Sequence, residues 1–118
     1  MSERIAPYAQ AVVQLPVTEY KNETEFRHAV MKDLQELGFM VYAIPDSRRQ
    51  LGDTGYPDIT AVKNKRVVWI ECKMKDRKMT DVQWNWCHQL YNGSLEHPSF
   101  VLTYPHTWQE DLEIILKG

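Results

Sequence analysis

Cysteine is scarce in this chain: Cys72 and Cys87 are the only two among 118 residues. Neither sits in a Cys-x-x-Cys or Cys/His spacing, which excludes a zinc-ribbon or disulfide framework and predicts a reduced, cytoplasmic protein. Long apolar runs are missing as well. No stretch approaches the roughly 20 residues that cross a bilayer. The first residues also lack the basic region and apolar segment of a signal peptide, so no membrane partner is expected. Positive charge is not in excess: 14 Lys and Arg face 16 Asp and Glu, giving a net charge of −2. A generic polyanion binder is thereby disfavoured. His28, His88, His97 and His106 are scattered, with no pair at helical metal spacing, which argues against a zinc or histidine-based enzyme. There is no phosphate-cradling glycine loop and no Ser/His/Asp order, so no organic cofactor is expected. No internal repeat or low-complexity tract is visible.

What is present fits one domain. A chain of this length buries a single core, and its 43% hydrophobic content is ordinary. The informative segment runs from Gly55-Tyr56-Pro57-Asp58 to Glu71-Cys72-Lys73. Between them lie two runs rich in β-branched and aromatic residues, Ile59-Thr60-Ala61-Val62 and Val67-Val68-Trp69-Ile70. The polar stretch Lys63-Asn64-Lys65-Arg66 joins them and has turn character at Asn64. A turn centred on Asn64-Lys65 sets Lys63 against Arg66, Val62 against Val67 and, by continuation, Asp58 against Glu71. An odd-numbered turn would break that alignment. Opposed residues of an antiparallel pair share a face with Cβ atoms about 5 Å apart. Lys73, two residues beyond Glu71, falls on the same face.

Two carboxylates that close repel unless a cation lies between them. Hard oxygen ligands suit Mg²⁺ or Mn²⁺, and such an ion supports phosphodiester hydrolysis. Asp58 and Glu71 are thus candidate catalytic and metal-binding residues. The backbone carbonyl of Cys72, between their side chains, is a candidate further ligand. Lys73 is placed to orient a water or to neutralise charge in the transition state. The plainer alternative is an exposed hairpin end with a surface salt bridge. Glu-x-Lys alone says little, but with Pro-Asp in this register the site interpretation is preferred.

Around this hairpin the other elements are legible. Residues 1–21, with Pro7 and Pro16 and no clear period, form either an arm that contacts a partner subunit or a loose terminus. The domain proper is expected over 22–118. Phe26, Val30, Leu34 and Leu37 recur at helical steps after Asn22, whose partner in capping is Glu25; Gly38 is a natural stop. Phe39–Ile44 reads as a buried strand ended by Pro45, and 46–56 as a loop. Thr80-Asp81-Val82-Gln83 opens a second helix with a capping box, running to about Tyr91. Trp84, Trp86 and Cys87 are more simply core or dimer-contact residues than stacking platforms. A last strand spans 98–104. A closing amphipathic helix spans Trp108–Leu116 and buries Leu112, Ile115 and Leu116.

Basic residues cluster despite the net charge. Arg48 and Arg49 precede the glycine-containing loop, Lys63, Lys65 and Arg66 flank the turn, and Lys75, Arg77 and Lys78 follow Lys73. The group after Lys73 adjoins the carboxylates and is the best-placed phosphate contact. Arg48 and Arg49 are further candidates, and the turn cluster is equally well read as a solvated loop.

Taken together, these motifs resemble the PD-(D/E)xK nuclease superfamily and, within it, the small VRR-NUC (virus-type replication-repair nuclease) group. The likeness runs from Asn22 to about Tyr104. It comprises the acidic helix start, Gly55-Tyr56-Pro57-Asp58, Glu71-Cys72-Lys73 and Thr80-x-x-Gln83. Cys72 and Met74 depart mildly from the usual pattern there. The resemblance implies an α/β, restriction-endonuclease-like mixed sheet flanked by helices, and Mg²⁺- or Mn²⁺-dependent cleavage of DNA in a bacterial or phage-infected cell. It also implies a homodimer resembling Holliday-junction resolvases and acting on branched DNA. It assigns the helix-borne acid to Glu23, as a water-mediated metal contact, rather than to Glu25; the competing account is a first-turn acid favoured by the helix dipole. It places Gln83 beside the metal, where it orients water or phosphate, against the simpler role of cap partner to Thr80. A catalytically silent DNA-binding or assembly subunit with the same fold is the alternative, although such a binder would gain affinity by losing these acids.

Overall fold

The computed structural model describes residues 20–44, 55–75 and 77–117. Its first helix, α1 (Glu23–Glu36), begins where the Asn22 side chain accepts a hydrogen bond from the Glu25 amide at 2.9 Å. It ends in a Schellman pattern: the Gly38 amide donates to the Gln35 carbonyl and the Phe39 amide to the Leu34 carbonyl, both at 3.0 Å. Gly38 takes φ +94°, a conformation that suits glycine. Phe26, Val30 and Leu34 are fully buried, as their spacing requires, each worth about 1.5–3 kcal/mol of hydrophobic transfer. Leu37 is not part of that face. It is the C-cap and 38% exposed.

Strand β1 (Met40–Ala43) pairs antiparallel with β2 (Ile59–Lys63), β2 antiparallel with β3 (Arg66–Cys72), and β3 parallel with β4 (Phe100–Thr103). The four form one sheet in the order β1-β2-β3-β4. Helix α2 (Asp81–Leu90) lies on the connection between the parallel strands, which need a crossover. Helix α3 (Trp108–Lys117) closes the described chain. Asn64 and Lys65 both have positive φ, 51° and 66°, the signature of a two-residue type I′ turn. The even turn length produces the anticipated register, Lys63 opposite Arg66 and Ile59 opposite Ile70.

Strand alternation divides the sheet's two faces. Ile59, Ala61, Val68, Ile70 and Cys72 form one face with Phe26, Val30 and Leu34 of α1 and Trp108 and Ile115 of α3 in a single core. The Trp108 indole donates to Asp33 at 2.8 Å and ties α3 to α1. Helix α2 lies on the opposite face, so the domain is a mixed α/β sandwich of three layers, consistent with a restriction-endonuclease-like fold. Among the described residues no helix is long and apolar enough to cross a membrane.

Several expectations are corrected. β1 is not a buried strand: among the described residues it is an edge strand, with Met40 77% and Tyr42 54% exposed. Helix α2 buries no residue, so Trp84, Trp86 and Cys87 are not core. Leu116 is exposed, because α3 turns only its Trp108–Ile115 side to the core. The turn cations serve helix ends. The Lys63 ammonium donates to the Leu37 carbonyl at 2.7 Å, and the Arg66 guanidinium donates to the carbonyls of Ile115 and Pro98. Directly opposed on the hairpin, these two residues satisfy carbonyls at the C-terminal ends of α1 and α3. The expected arm lies outside the described residues except for Tyr20 and Lys21. Tyr20 packs its ring on Phe26 at 5.2 Å. Arg48, Arg49 and most of the loop between β1 and β2 also lie outside them.

Candidate functional site

Asp58 immediately precedes β2, and Glu71 is the penultimate residue of β3. Extending the Ile59–Ile70 register by one step sets them opposite each other. Both are buried, at 2% and 1% exposure, and Lys73 is buried at 4%. The Lys73 ammonium lies 3.9 Å from Glu71 Oε2. Asp58 Oδ2 accepts a hydrogen bond from the Cys72 main-chain amide at 2.7 Å. Cys72 therefore serves this site through its amide, which anchors Asp58 across the hairpin. A surface salt bridge does not describe this group, since the three side chains are buried together.

Gln83 reconciles its two explanations. Its Oε1 accepts from the Thr80 amide at 2.8 Å while its Nε2 donates to Glu71 Oε2 at 3.1 Å. An amide N–H only donates, so the cap dictates which end of the carboxamide faces the acid. The Thr80 hydroxyl completes the box by accepting from the Gln83 amide at 3.2 Å. The start of α2 is thus wired to Glu71.

Glu23 stands in the first turn of α1, half-buried, whereas Glu25 is exposed. Burial, then the charge of Asp58, raises the Glu23 carboxyl above its usual range, while Lys73, Arg77 and Arg27 oppose the rise. Glu23 is accordingly the helix acid within electrostatic reach of Asp58. Glu71 is pushed up to about 9 by burial and then by the Asp58 charge, against the pull of Lys73. One oxygen of each acid, Glu23 Oε1 and Glu71 Oε1, is buried with no hydrogen-bond partner. Buried acceptors in that state cost free energy and mark the place for a missing donor or cation. Among the described residues, no three or more His, Cys, Asp or Glu side chains are gathered into a ready metal cage. Magnesium does not require one, since it is commonly held by one or two carboxylates with waters and substrate phosphate completing the shell. The donor set and the two orphaned oxygens therefore fit a hard divalent ion.

Lys75, Arg77 and Lys78 are exposed beyond Lys73, and the Arg77 carbonyl accepts from the Tyr104 hydroxyl at 3.0 Å. Three features escaped the sequence reading. Arg27, one turn after Glu23, is buried at 3%: its charge suggests surface, but it stands three residues before Val30 and seven before Leu34 and shares their face. Gly55, at φ +90°, sits so close to α2 that a Cβ there would meet Val82 Cγ1 at 2.2 Å and Val82 Cβ at 2.9 Å. Tyr56 is joined to Trp69 and Trp86: its hydroxyl accepts from the Trp69 indole at 3.2 Å, and its ring meets Trp86 edge-on at 4.9 Å. Strand period two from Glu71 already put Trp69 on the site face. Away from the acids, an apolar groove of about 270 Å³ runs between α2 and β4, lined by Trp84, Tyr91, Leu95 and Phe100 among others.

A family model described as archaeal Holliday junction resolvase (hjc) matches residues 19–91, well over half of the chain. Comparisons with curated proteins and with solved structures returned no match. The chain belongs to this resolvase family, a PD-(D/E)xK nuclease family.

Proposed function

We propose that this member of the archaeal Holliday junction resolvase family is a Mg²⁺- or Mn²⁺-dependent endonuclease that hydrolyses phosphodiester bonds in branched DNA. The observation that carries the proposal is the pair of buried, unpartnered oxygens on Glu23 and Glu71 beside Asp58 and Lys73. Asp58 and Glu71 would hold such an ion, with the Cys72 carbonyl as a further ligand and Glu23 in support through water. A bound divalent ion would supply Lewis-acid stabilisation of charge on the scissile phosphate and acidify an attacking water.

The chain's own groups do the rest. Lys73, held by Glu71, orients the attacking water and offsets negative charge as the new P–O bond forms and the old one breaks. The proton lost by water ends on the departing sugar oxygen. Gln83 fixes the rotation of Glu71 by engaging Oε2, which leaves Oε1 as the oxygen available to an ion. Lys75, Arg77 and Lys78 take flanking phosphates; Arg48 and Arg49, which lie outside the described residues, are further phosphate contacts proposed from their place in the sequence alone. The order Pro57-Asp58, Glu71-Cys72-Lys73, Gln83 supports the finer likeness to the VRR-NUC group. Pairing of two copies suits symmetric incision of a four-way junction. The apolar groove beside Trp84, with Trp84 44% and Leu95 85% exposed, offers a surface for it.

The test is cleavage of labelled four-way-junction, flap, single-stranded and linear duplex DNA with Mg²⁺, with Mn²⁺ and with EDTA, alongside Glu71→Ala. Metal-dependent cutting of branched substrates, absent in Glu71→Ala, is expected. Binding of DNA with no cutting under either metal would overturn the catalytic assignment in favour of a silent DNA-binding subunit.

A further inference from the structure

The candidate site is flanked unequally along the chain. On the C-terminal side of Glu71 come the exposed cations Lys75, Arg77 and Lys78. On the N-terminal side the flank is aromatic. Trp69 precedes Glu71 by two residues on β3 and shares its face. Tyr56 precedes Asp58 by two, and Trp86 stands on α2 one turn beyond Gln83, which touches Glu71. The three rings form one unit through the Trp69–Tyr56 hydrogen bond and the edge-on Tyr56–Trp86 contact. Trp86 nevertheless stays 39% exposed on a helix that buries nothing. Core packing therefore does not account for it. The contact of Gly55 with Val82 keeps the Tyr56 segment against α2, so the aromatic unit and the acids are held as one body.

We propose that Trp86, braced edge-on by Tyr56, forms a stacking platform for an unpaired base at the branch point of the DNA substrate. The inference rests on the nuclease reading above and deepens it by naming what distinguishes a branched substrate from plain duplex. A duplex keeps its base faces covered by neighbouring bases. At a branch or flap an unstacked base exposes its face, and stacking on an aromatic ring is worth about 1–3 kcal/mol per base, or roughly 5- to 150-fold in affinity. The cations beyond Glu71 match the charge of the backbone that leads from that base. Trp84 projects into the apolar groove instead and packs beside His88, so it is assigned no part in stacking.

The experiment uses a flap DNA with 2-aminopurine at the unpaired position next to the branch, titrated with the full chain in EDTA so that nothing is cut. Wild type is expected to quench the probe. Trp86→Leu, which keeps an apolar contact for Tyr56, is expected to lose the quench and about tenfold in flap affinity while duplex affinity stays within about twofold. Trp86→Phe should restore part of both. Quenching by Trp86→Leu equal to wild type would overturn the platform, as would an equal loss on flap and duplex. A change of sedimenting mass in Trp86→Leu would overturn it too, making Trp86 a subunit contact. If wild type quenches the probe yet cuts nothing with Mg²⁺ or Mn²⁺, the platform stands and the nuclease reading falls.

Discussion

The two faces of the central sheet are built from alternating residues of the same strands, yet they differ in kind. Ile59, Ala61, Val68, Ile70 and Cys72 point to the face under α1 and α3, where every one of them is fully buried among apolar neighbours. Asp58, Thr60, Trp69 and Glu71 point the other way. There the protein buries two acids and a lysine, leaves acceptors unpartnered and covers them with a helix that has no buried residue. The first face stabilises the fold. The second spends part of that stability on charges held close together, an arrangement typical of functional sites.

Exchanging one residue on each face sharpens the contrast most. Glu71→Gln should lower cleavage by about 10³-fold or more, the several kcal/mol of transition-state stabilisation that a metal ligand supports. In the metal-free protein the same change should raise the unfolding midpoint near neutral pH, since a neutral amide need not take up the proton that burial forces on the Glu71 carboxyl. Ile70→Ala, its strand neighbour on the other face, should instead cost about 2–5 kcal/mol. A denaturant titration of both variants without metal checks the opposite signs; a destabilised Glu71→Gln would break the contrast.

Acidity provides the next test. Glu71 is raised to about 9 and Glu23 upward, both first by burial. The folded state thus keeps protons that the unfolded chain releases above the usual 4.5. Their stabilisation is complete below that value and is lost as pH rises toward about 9. Thermal unfolding of metal-free protein should show a midpoint falling across that window. Mn²⁺ should raise the midpoint more at the alkaline end, because the ion binds the deprotonated acids. A flat profile with and without Mn²⁺ would show that these acids do not sense one another.

A smaller effect separates the loop from the sheet. Gly55→Ala meets both a positive φ and the Val82 side chain, and should cost about 1–3 kcal/mol. Because Val82 neighbours Gln83, metal affinity should fall with it, a result that calorimetric Mn²⁺ titration reads directly. The smallest change is Lys63→Ala, which loses one hydrogen bond at the end of α1 and about 1 kcal/mol. Its DNA affinity should match wild type, and a clear loss would return Lys63 to the phosphate contacts.

The hairpin is the part most legible from residues alone. Two β-branched runs and an even turn defined the register, and the register placed Asp58, Glu71 and Lys73 together. Local chemistry likewise announced both ends of α1 and the start of α2. Longer-range matters were not legible. Lys63 and Arg66 look like solvated turn cations until the ends of α1 and α3 arrive beside them. Met40 and Tyr42 belong to a run that reads as buried, and only the strand order reveals an edge.

By itself, then, the sequence determined the periodicities: which residues share a helix or strand face, where helices start and stop, and which acids a two-residue turn brings opposite each other. Those follow from backbone geometry over a few residues. Tertiary structure decided what each face meets. It put Glu23 rather than Glu25 near Asp58, turned the Gln83 amide toward Glu71 and left Trp86 beside Tyr56 in solvent. Contacts between elements distant in sequence depend on how whole layers pack, and no local period encodes that.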